Sequence, residues 1–456
     1  MFKKYCSTSI IIVFLLLLFV QVVLAEEELT LKEALNIGFE QNSQLKNSLI
    51  DKEKAITDLQ LAKRYLWPEI SIQSTYTKMG IPPKTPIKYN IIPSPNPAID
   101  EYSLLPTEYQ ELSADNYNTA ISIRQPIYTG GQALAGIKLA KKGVELSSNQ
   151  YNKQISDTFY QIIQSYYNIL RAKTIVAIQK SALQVVEEHK RIVKVNIEAG
   201  MSIKSDLLSI EIERRRLSQS LQEAENNLLL ARKRLAIILK IEPEKIKLVE
   251  PEITPVIKLS KEEIYQQAFS NRTEFKSLAI SSEMTRINKE LKSIIYRPAV
   301  FLNGNYSWQS DELSFDDGSW NINLTASMPL FDGGKAKKEE KKFSLELEKL
   351  EESKNSLQDN IRLEIDSILL AIEQAEKSMK LEKSSVENAH ENLRIANKRY
   401  KIGVGTNVDV INAQNNLQQS KIRMLQAEYN YNLKFFELLY NTGKLTSYCR
   451  EVKEIE

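Results

Sequence analysis

Apolar residues step along this chain by 4 and 3 for most of its length, and by 2 in four short stretches between. Ile155, Phe159, Ile162, Tyr166 and Ile169 keep the 4-3 spacing inside a proline-free run from Gln132 to Ala199. Ile361, Ile365, Ile368, Ile372, Ala375 and Met379 keep it inside a second such run from Lys335 to Ile402. This is the seam of a left-handed coiled coil, and each run predicts one helix of roughly 100 Å at about 1.5 Å per residue. The seam resumes in half-length helices. After Gly200 it runs through Ile203, Leu207, Ile210, Arg214, Leu217, Leu221, Ala224, Leu228, Ala231, Leu235 and Ile238. After Gly403 it runs through Thr406, Val410, Ala413, Leu417, Ser420, Met424, Ala427 and Tyr431. Two more half-length helices are expected over about 31–65 and 261–296, each opened by a capping box, Thr30 with Glu33 and Ser260 with Glu263.

The period-2 stretches lie between half helix and long helix. Ile70, Ile72 and Tyr76 alternate with Ser71, Gln73, Thr75 and Thr77, and Ile121 and Ile123 with Ser122 and Arg124. Val300, Leu302, Gly304, Tyr306 and Trp308 alternate with Phe301, Asn303, Asn305 and Ser307. Trp320, Ile322, Leu324, Ala326 and Met328 alternate with Asn321, Asn323, Thr325 and Ser327. Each run has about the 9 to 11 residues of a tilted strand that crosses a bilayer, with one apolar and one neutral polar face, as lipid outside and water inside require. Tyr76, Tyr306, Trp308 and Trp320 near strand ends are the expected aromatic belt. Four strands cannot close a barrel, and an open edge in lipid leaves backbone groups unpaired at several kcal/mol each, so the chain is expected to oligomerise.

The pattern is written twice. Arg64-Tyr65-Leu66-Trp67-Pro68 returns as Ile294-Ile295-Tyr296-Arg297-Pro298, 230 residues later; Gln125-Pro126-Ile127-Tyr128-Thr129-Gly130-Gly131 returns as Met328-Pro329-Leu330-Phe331-Asp332-Gly333-Gly334, 203 residues later. Gly200 and Asp206 keep the second offset and return as Gly403 and Asp409. The offsets differ by 27 residues, the length of Gly80–Pro106, which holds seven of the chain's fourteen prolines and is the insertion in the first copy. The expected organisation is a first repeat at 26–240, a linker at 241–259, a second repeat at 260–442 and a C-terminal tail at 443–456. The fold class is mainly α with a small β part. The Gly130-Gly131 and Gly333-Gly334 pairs are expected to allow the sharp turn from strand to helix.

Composition adds a destination and removes several functions. Lys3 and Lys4, the apolar run Ile10–Val20 and Val23-Leu24-Ala25 have the layout of a secretory signal peptide over residues 1–25. Without it the chain carries 59 basic and 58 acidic residues, too balanced to attract nucleic acid. Cys6 falls in the leader and Cys449 near the C-terminus, so the mature chain is expected to have one thiol and no internal disulfide. His189 and His390 are the only histidines, each on a charged helical stretch with no Cys or second His nearby, so no metal is expected. There is no phosphate loop and no nucleophile motif, so neither an enzyme nor a bound cofactor is expected, and any energy for transport must come from a partner.

With these strands, Pro and Gly-Gly junctions and Gly-x-x-x-x-x-Asp turns, the chain resembles the TolC-like outer-membrane efflux proteins over essentially its whole length after the leader. Leu29–Leu35, 125–131 with its copy 328–334, and the turns 199–208 and 400–410 carry the resemblance. It implies a homotrimer: a 12-stranded barrel, four strands per chain, through the outer membrane of a Gram-negative type cell, and a helical barrel in the periplasm. The chain would be the exit duct of a tripartite efflux pump or type I secretion system, working with an inner-membrane pump and a periplasmic adaptor. Gly200, Met201, Ser202, Gly403, Val404, Gly405 and Thr406 would be the adaptor-contacting tips, and Tyr400, Asp409, Asn412 and Asp206 would line the periplasmic entrance. The family's second acidic position is Asn412 here and its Arg position is Gly405, so one ring of three carboxylates is expected where the family has two. From the residues themselves, Ser or Thr with Asp just beyond each turn caps the returning helix. The insertion would be an external loop without regular structure, able to cap the outer mouth. A periplasmic coiled-coil adaptor or scaffold that never enters lipid is the competing reading.

Overall fold

The computed structural model describes residues 29–82, 84–93, 102–251 and 259–454. The expected leader lies outside them, as do 94–101 of the insertion and 252–258 of the linker. In chain order the helices are α1 Leu31–Gln41, α2 Ser43–Arg64, α3 Gln132–Glu198, α4 Lys204–Leu239, α5 Lys261–Asn271, α6 Thr273–Ser293, α7 Lys335–Lys401, α8 Asn407–Asn441 and α9 Leu445–Glu454. The strands are β1 Glu69–Lys78, β2 Lys84–Pro93, β3 Tyr102–Glu111, β4 Asp115–Tyr128, β5 Ala299–Ser310 and β6 Ser319–Ser327. Both proline-free runs are single helices of 67 residues. Among the described residues no helix is long and apolar enough to cross a membrane.

Segment contacts divide the chain into two units. The first takes the described residues up to 53, 146–279 and from 350 onward. Its main core is built on the predicted seam: Ile155, Phe159, Ile162, Tyr166 and Ile169 of α3 pack with Leu35, Leu45, Leu235, Leu239 and Phe436. A second cluster gathers Ile361, Ile365, Ile368 and Ile372 of α7 with Ile264 and Ala268 of α5. The Tyr166 hydroxyl, inside the core, donates to the carbonyls of Leu29 (2.9 Å) and Val249 (2.6 Å), which fixes the start of the first repeat and the entry to the linker on one side chain. Ile246 and Leu248 of that linker are buried, and Leu248 forms a parallel bridge with Leu29. Residues 443–456, read above as a tail, contain α9, which buries Leu445 and Cys449.

Both capping boxes form, at Thr30 with Glu33 and Ser260 with Glu263. The half helices expected over 31–65 and 261–296 are however each broken once, at Asn42 and Arg272, which lie 230 residues apart like the motifs around them. Asn42 is extended, and its Oδ1 accepts the amides of Gln44 and Leu45 while its Nδ2 donates to the Ile238 carbonyl at 3.2 Å. A side chain that caps a new helix and reaches a helix elsewhere outweighs continuity of the first one. The repeat extends to backbone conformation: Lys240 and Gly443, 203 residues apart, both end their helices at positive φ.

The second unit comprises 54–145 and 280–349. Its four predicted strands form an antiparallel sheet in the order β1-β4-β5-β6, so β1 and β6 are its two edges. One departure from expectation lies in the proline-rich insertion: β2 and β3 pair as an antiparallel ribbon, Lys84 opposite Glu111 through Pro93 opposite Tyr102, with a register shift around Lys88. Alternation of Tyr89 and Ile91 with Asn90, and of Pro106 and Leu104 with Leu105 across from them, supplies cross-strand pairs that outweigh prolines confined to edge positions.

Candidate functional site

Two places in the chain are the candidates for function: the turns between long and half-length helices in the first unit, and the sheet in the second. At the first turn Gly200 adopts φ +72°, the amide of Met201 donates to the Asn196 carbonyl (2.7 Å) and that of Gly200 to Ile197 (3.0 Å). At the second, Gly403 has φ +78°, Val404 donates to Arg399 (3.0 Å) and Gly403 to Tyr400 (3.1 Å). Each is a helix-ending motif that needs a left-handed residue, which glycine occupies without steric cost.

The returning helices start differently. In the second turn Thr406 is the N-cap of α8 and forms a capping box with Asp409: Thr406 Oγ1 accepts the Asp409 amide (3.1 Å), and Asp409 Oδ2 accepts the Thr406 amide (2.9 Å). The Thr406 amide, with its hydroxyl and the Arg399 charge as smaller causes, holds the Asp409 carboxyl below its ordinary range. In the first turn the expected cap is absent. The N-cap of α4 is Ile203, which has no side chain to offer, and the Asp206 carboxylate instead accepts the Ser202 hydroxyl at 2.7 Å. Asp206 is one residue too far into the helix relative to Ser202 for the reciprocal geometry that Thr406 and Asp409 achieve.

Gly405, where the resemblance looks for an arginine, has its amide on the Arg399 carbonyl, and a Cβ there would stand 3.0 Å from both Arg399 Cβ and the Tyr400 amide nitrogen. A side chain at this position would need the backbone of Arg399 and Tyr400 to give by a few tenths of an ångström. Asn412 and Asp409 are exposed and three residues apart on one face of α8.

The two turns are joined by Asn407, which is held in turn by a histidine for which the sequence suggested no role. His189 is buried, not on a solvated face; its Nε2 shares a hydrogen bond of 2.8 Å with Asn407 Oδ1, and Asn407 Nδ2 donates to the Asp206 carbonyl at 3.1 Å. The His189 ring meets the Tyr400 ring edge to face at 5.2 Å. Burial pushes the imidazole below its ordinary value, against the opposing effects of Asn407 and the Asp206 charge. Tyr400 therefore does belong to the turn region, yet its hydroxyl is buried with no hydrogen-bond partner among the described residues.

In the sheet, register decides which residues share a face. Ile72, Ile121, Tyr306 and Trp320 stand directly opposite one another across all four strands, so they form one row on one side. Ile70, Ile123, Leu302, Ile322 and Leu324 extend this apolar side, where Ile72 is 69 % and Trp320 71 % exposed. Its polar hydroxyls pair with each other, Ser74 with Thr119 at 2.8 Å. The opposite side carries neutral polar ladders: Ser122 to Asn305 (3.0 Å), Asn303 to Thr325 (3.3 Å) and Asn323 to Asn321 (3.0 Å).

Of the expected belt, Tyr306 and Trp320 share the row just described, Trp308 stands two residues on, with its ring 4.6 Å from Tyr306, and Tyr76 pairs with Tyr117 farther toward the same end. Exposed aromatics at the other end, Tyr65, Trp67, Tyr128 and Phe331, entered the sequence reading only as repeat motifs and not as belt residues, because the alternation stops before reaching them. At the strand-to-helix turns Gly130, Gly131, Gly333 and Gly334 all have positive φ, and Asp332 caps α7 through the Gly334 and Ala336 amides.

Comparison with known proteins gives a consistent answer. The family model described as outer membrane efflux protein matches residues 38–239 and 264–443, once in each copy. Outer membrane efflux protein BepC of Brucella suis biovar 1 is 21% identical over 341 residues, 73% of this chain and 74% of that one. Outer membrane protein TolC of Vibrio cholerae is 21% identical over 358 residues, 76% and 81% of the two chains. Among solved structures, the Campylobacter jejuni CmeC outer membrane channel superposes with a TM-score of 0.73 at 17% identity, covering 93% of this chain and 88% of its own. A duplicated order of half helix, two strands, long helix and half helix, matched in both copies, means that this chain belongs to the outer membrane efflux protein family.

Proposed function

We propose that this outer-membrane efflux protein works as the homotrimeric exit duct of a tripartite efflux pump or type I secretion system, passing cargo from an inner-membrane pump to the exterior. The observation that carries the proposal is the four-stranded sheet: an exposed apolar side, a side with neutral polar ladders, and edges at β1 and β6 without a partner strand among the described residues. In lipid such edges must pair, and β1 of one copy with β6 of the next closes a ring with the Ser, Thr and Asn ladders lining water. Three copies give twelve strands.

The turns would then be the end that meets the periplasmic adaptor, through Gly200, Met201, Ser202, Gly403, Val404, Gly405 and Thr406. Asp409 from three copies forms one ring of carboxylates at the entrance, with Asn412 neutral one turn on. Tyr400 sits behind that ring, on the His189 contact. Asp206 contributes its carbonyl to the joint and its carboxylate to Ser202. Planar-bilayer recording of the purified full chain tests the proposal. Ion conductance from a detergent-extracted trimer is the expected result; a monomer that stays in plain buffer and conducts nothing would favour the periplasmic scaffold.

A further inference from the structure

We infer that the β2–β3 ribbon is a self-association surface, through which three copies pack on one another by Ile91 and Leu104 and narrow the outer mouth of the pore. The inference rests on the duct reading above. The ribbon continues the β1–β4 pair: beyond Lys78 opposite Asp115 the Met79 amide donates to the Ala114 carbonyl at 2.7 Å, and pairing resumes at Lys84 opposite Glu111. The neighbouring hairpin of β5 and β6 stops at Ser310, opposite Tyr117. The ten residues of β2 alone, nine of them paired, therefore reach about 33 Å past it at about 3.3 Å per residue.

Two strands alone are marginal in water, and among the described residues nothing covers Ile91 or Leu104 of this pair. Ile91 and Leu104 stand directly opposite each other on one side of the ribbon, 68 % and 65 % exposed, with Tyr89 opposite Pro106 continuing that side. A patch of this kind marks an interaction surface. The charges on the ribbon pair among themselves, Lys84 with Glu111 (2.5 Å) and Lys88 with Glu108 (3.6 Å), which leaves no surplus to hold an anionic lipid headgroup. The patch thus calls for an apolar partner.

A second copy fits best because the ribbon grows from β1, the edge on which the neighbouring copy must pair. A ring of twelve strands about 4.8 Å apart and tilted about 40° has a radius of about 12 Å, well within the reach of the ribbon. Three tethered ribbons meet at an effective concentration that makes even a small apolar contact favourable.

The test uses the full chain in outer-membrane vesicles, with Leu104→Cys oxidised by copper phenanthroline and the unmodified chain, whose Cys449 is buried, as control. A disulfide-linked dimer on a denaturing gel is expected from Leu104→Cys and not from Gln110→Cys near the base. Ile91→Asp with Leu104→Asp, and separately deletion of 84–111, should raise the single-channel conductance of the purified trimer. Absence of the dimer from a chain that light scattering shows to be trimeric overturns the inference, and so does a dimer whose loss leaves conductance unchanged. If the unmodified chain is neither trimeric nor conducting, the duct reading has failed and takes this inference with it.

Discussion

Replacing His189 with alanine should loosen the joint between the two helix turns by an amount the structure allows to be worked out. The change leaves Asn407 Oδ1 buried without its partner, a cost of about 1–3 kcal/mol. It also removes the edge-to-face contact with Tyr400, worth about 0.5–1.5 kcal/mol. Taking about 3 kcal/mol for the two together, local opening of the turns should become about a hundredfold more frequent, since each 1.4 kcal/mol is a factor of ten. Hydrogen exchange of the amides in 190–201 and 400–410 reads this directly, with amides in the Tyr166 core as internal reference.

Acidity should have the same direction of effect. The folded imidazole titrates below its unfolded value of about 6.5, so the unfolded or opened state binds the proton more readily. The stabilisation is complete above about pH 6.5 and declines as pH falls toward the folded pKa. The wild-type turns should therefore exchange faster at pH 5.5 than at 7.5 after correction for intrinsic rates, and His189→Gln should flatten that dependence. Unchanged exchange in His189→Ala at both pH values would show that the two turns are held by other contacts and refute the reasoning.

Three further outcomes are expected. Asp409→Ala removes both the capping-box carboxylate and the proposed entrance ring, so the purified pore should lose cation selectivity; unchanged reversal potentials in a salt gradient would remove Asp409 from the entrance. Gly38→Ala places a Cβ 2.2 Å from Ile162 Cδ1 in the core, which should cost about 1–3 kcal/mol in thermal or denaturant unfolding and be largely recovered by adding Ile162→Val. Tyr166→Phe leaves the Leu29 and Val249 carbonyls without their shared donor, a loss of about 1–3 kcal/mol that denaturant unfolding would detect.

Much of this architecture could be read along the chain. The 4-3 seam found the residues that pack in the core, from Ile155 to Ile169 and from Ile361 to Ile372, because a helix presents residues three and four apart on one side wherever it lies. Alternation located the four strands of the sheet and assigned their apolar and polar sides for the same kind of reason. The capping boxes at Thr30 and Ser260 formed because every atom they need lies within four residues. The insertion was located by counting, yet its proline content pointed away from the ribbon it forms, since what stabilises β2 and β3 is the opposite strand.

What escaped the linear reading shares one property: it depends on residues far apart in sequence. His189 read only as a histidine on a charged helical stretch until α8 brought Asn407 and α7 brought Tyr400 against it. The breaks at Asn42 and Arg272 gave no signal in hydrophobic period. Gly405 looked like a missing arginine, whereas the returning backbone of Arg399 and Tyr400 comes close enough to crowd any Cβ there.

By itself, then, the sequence determined periodicity, duplication, the two-sided character of the strands and the location of the turns, all of which arise from neighbours within about one or two helical turns. Only the tertiary structure decided which strands are edges, which polar groups are buried and paired, and which turn is capped by its own side chain. Those outcomes turn on desolvation and close approach between segments some two hundred residues apart, and no local pattern carries that information.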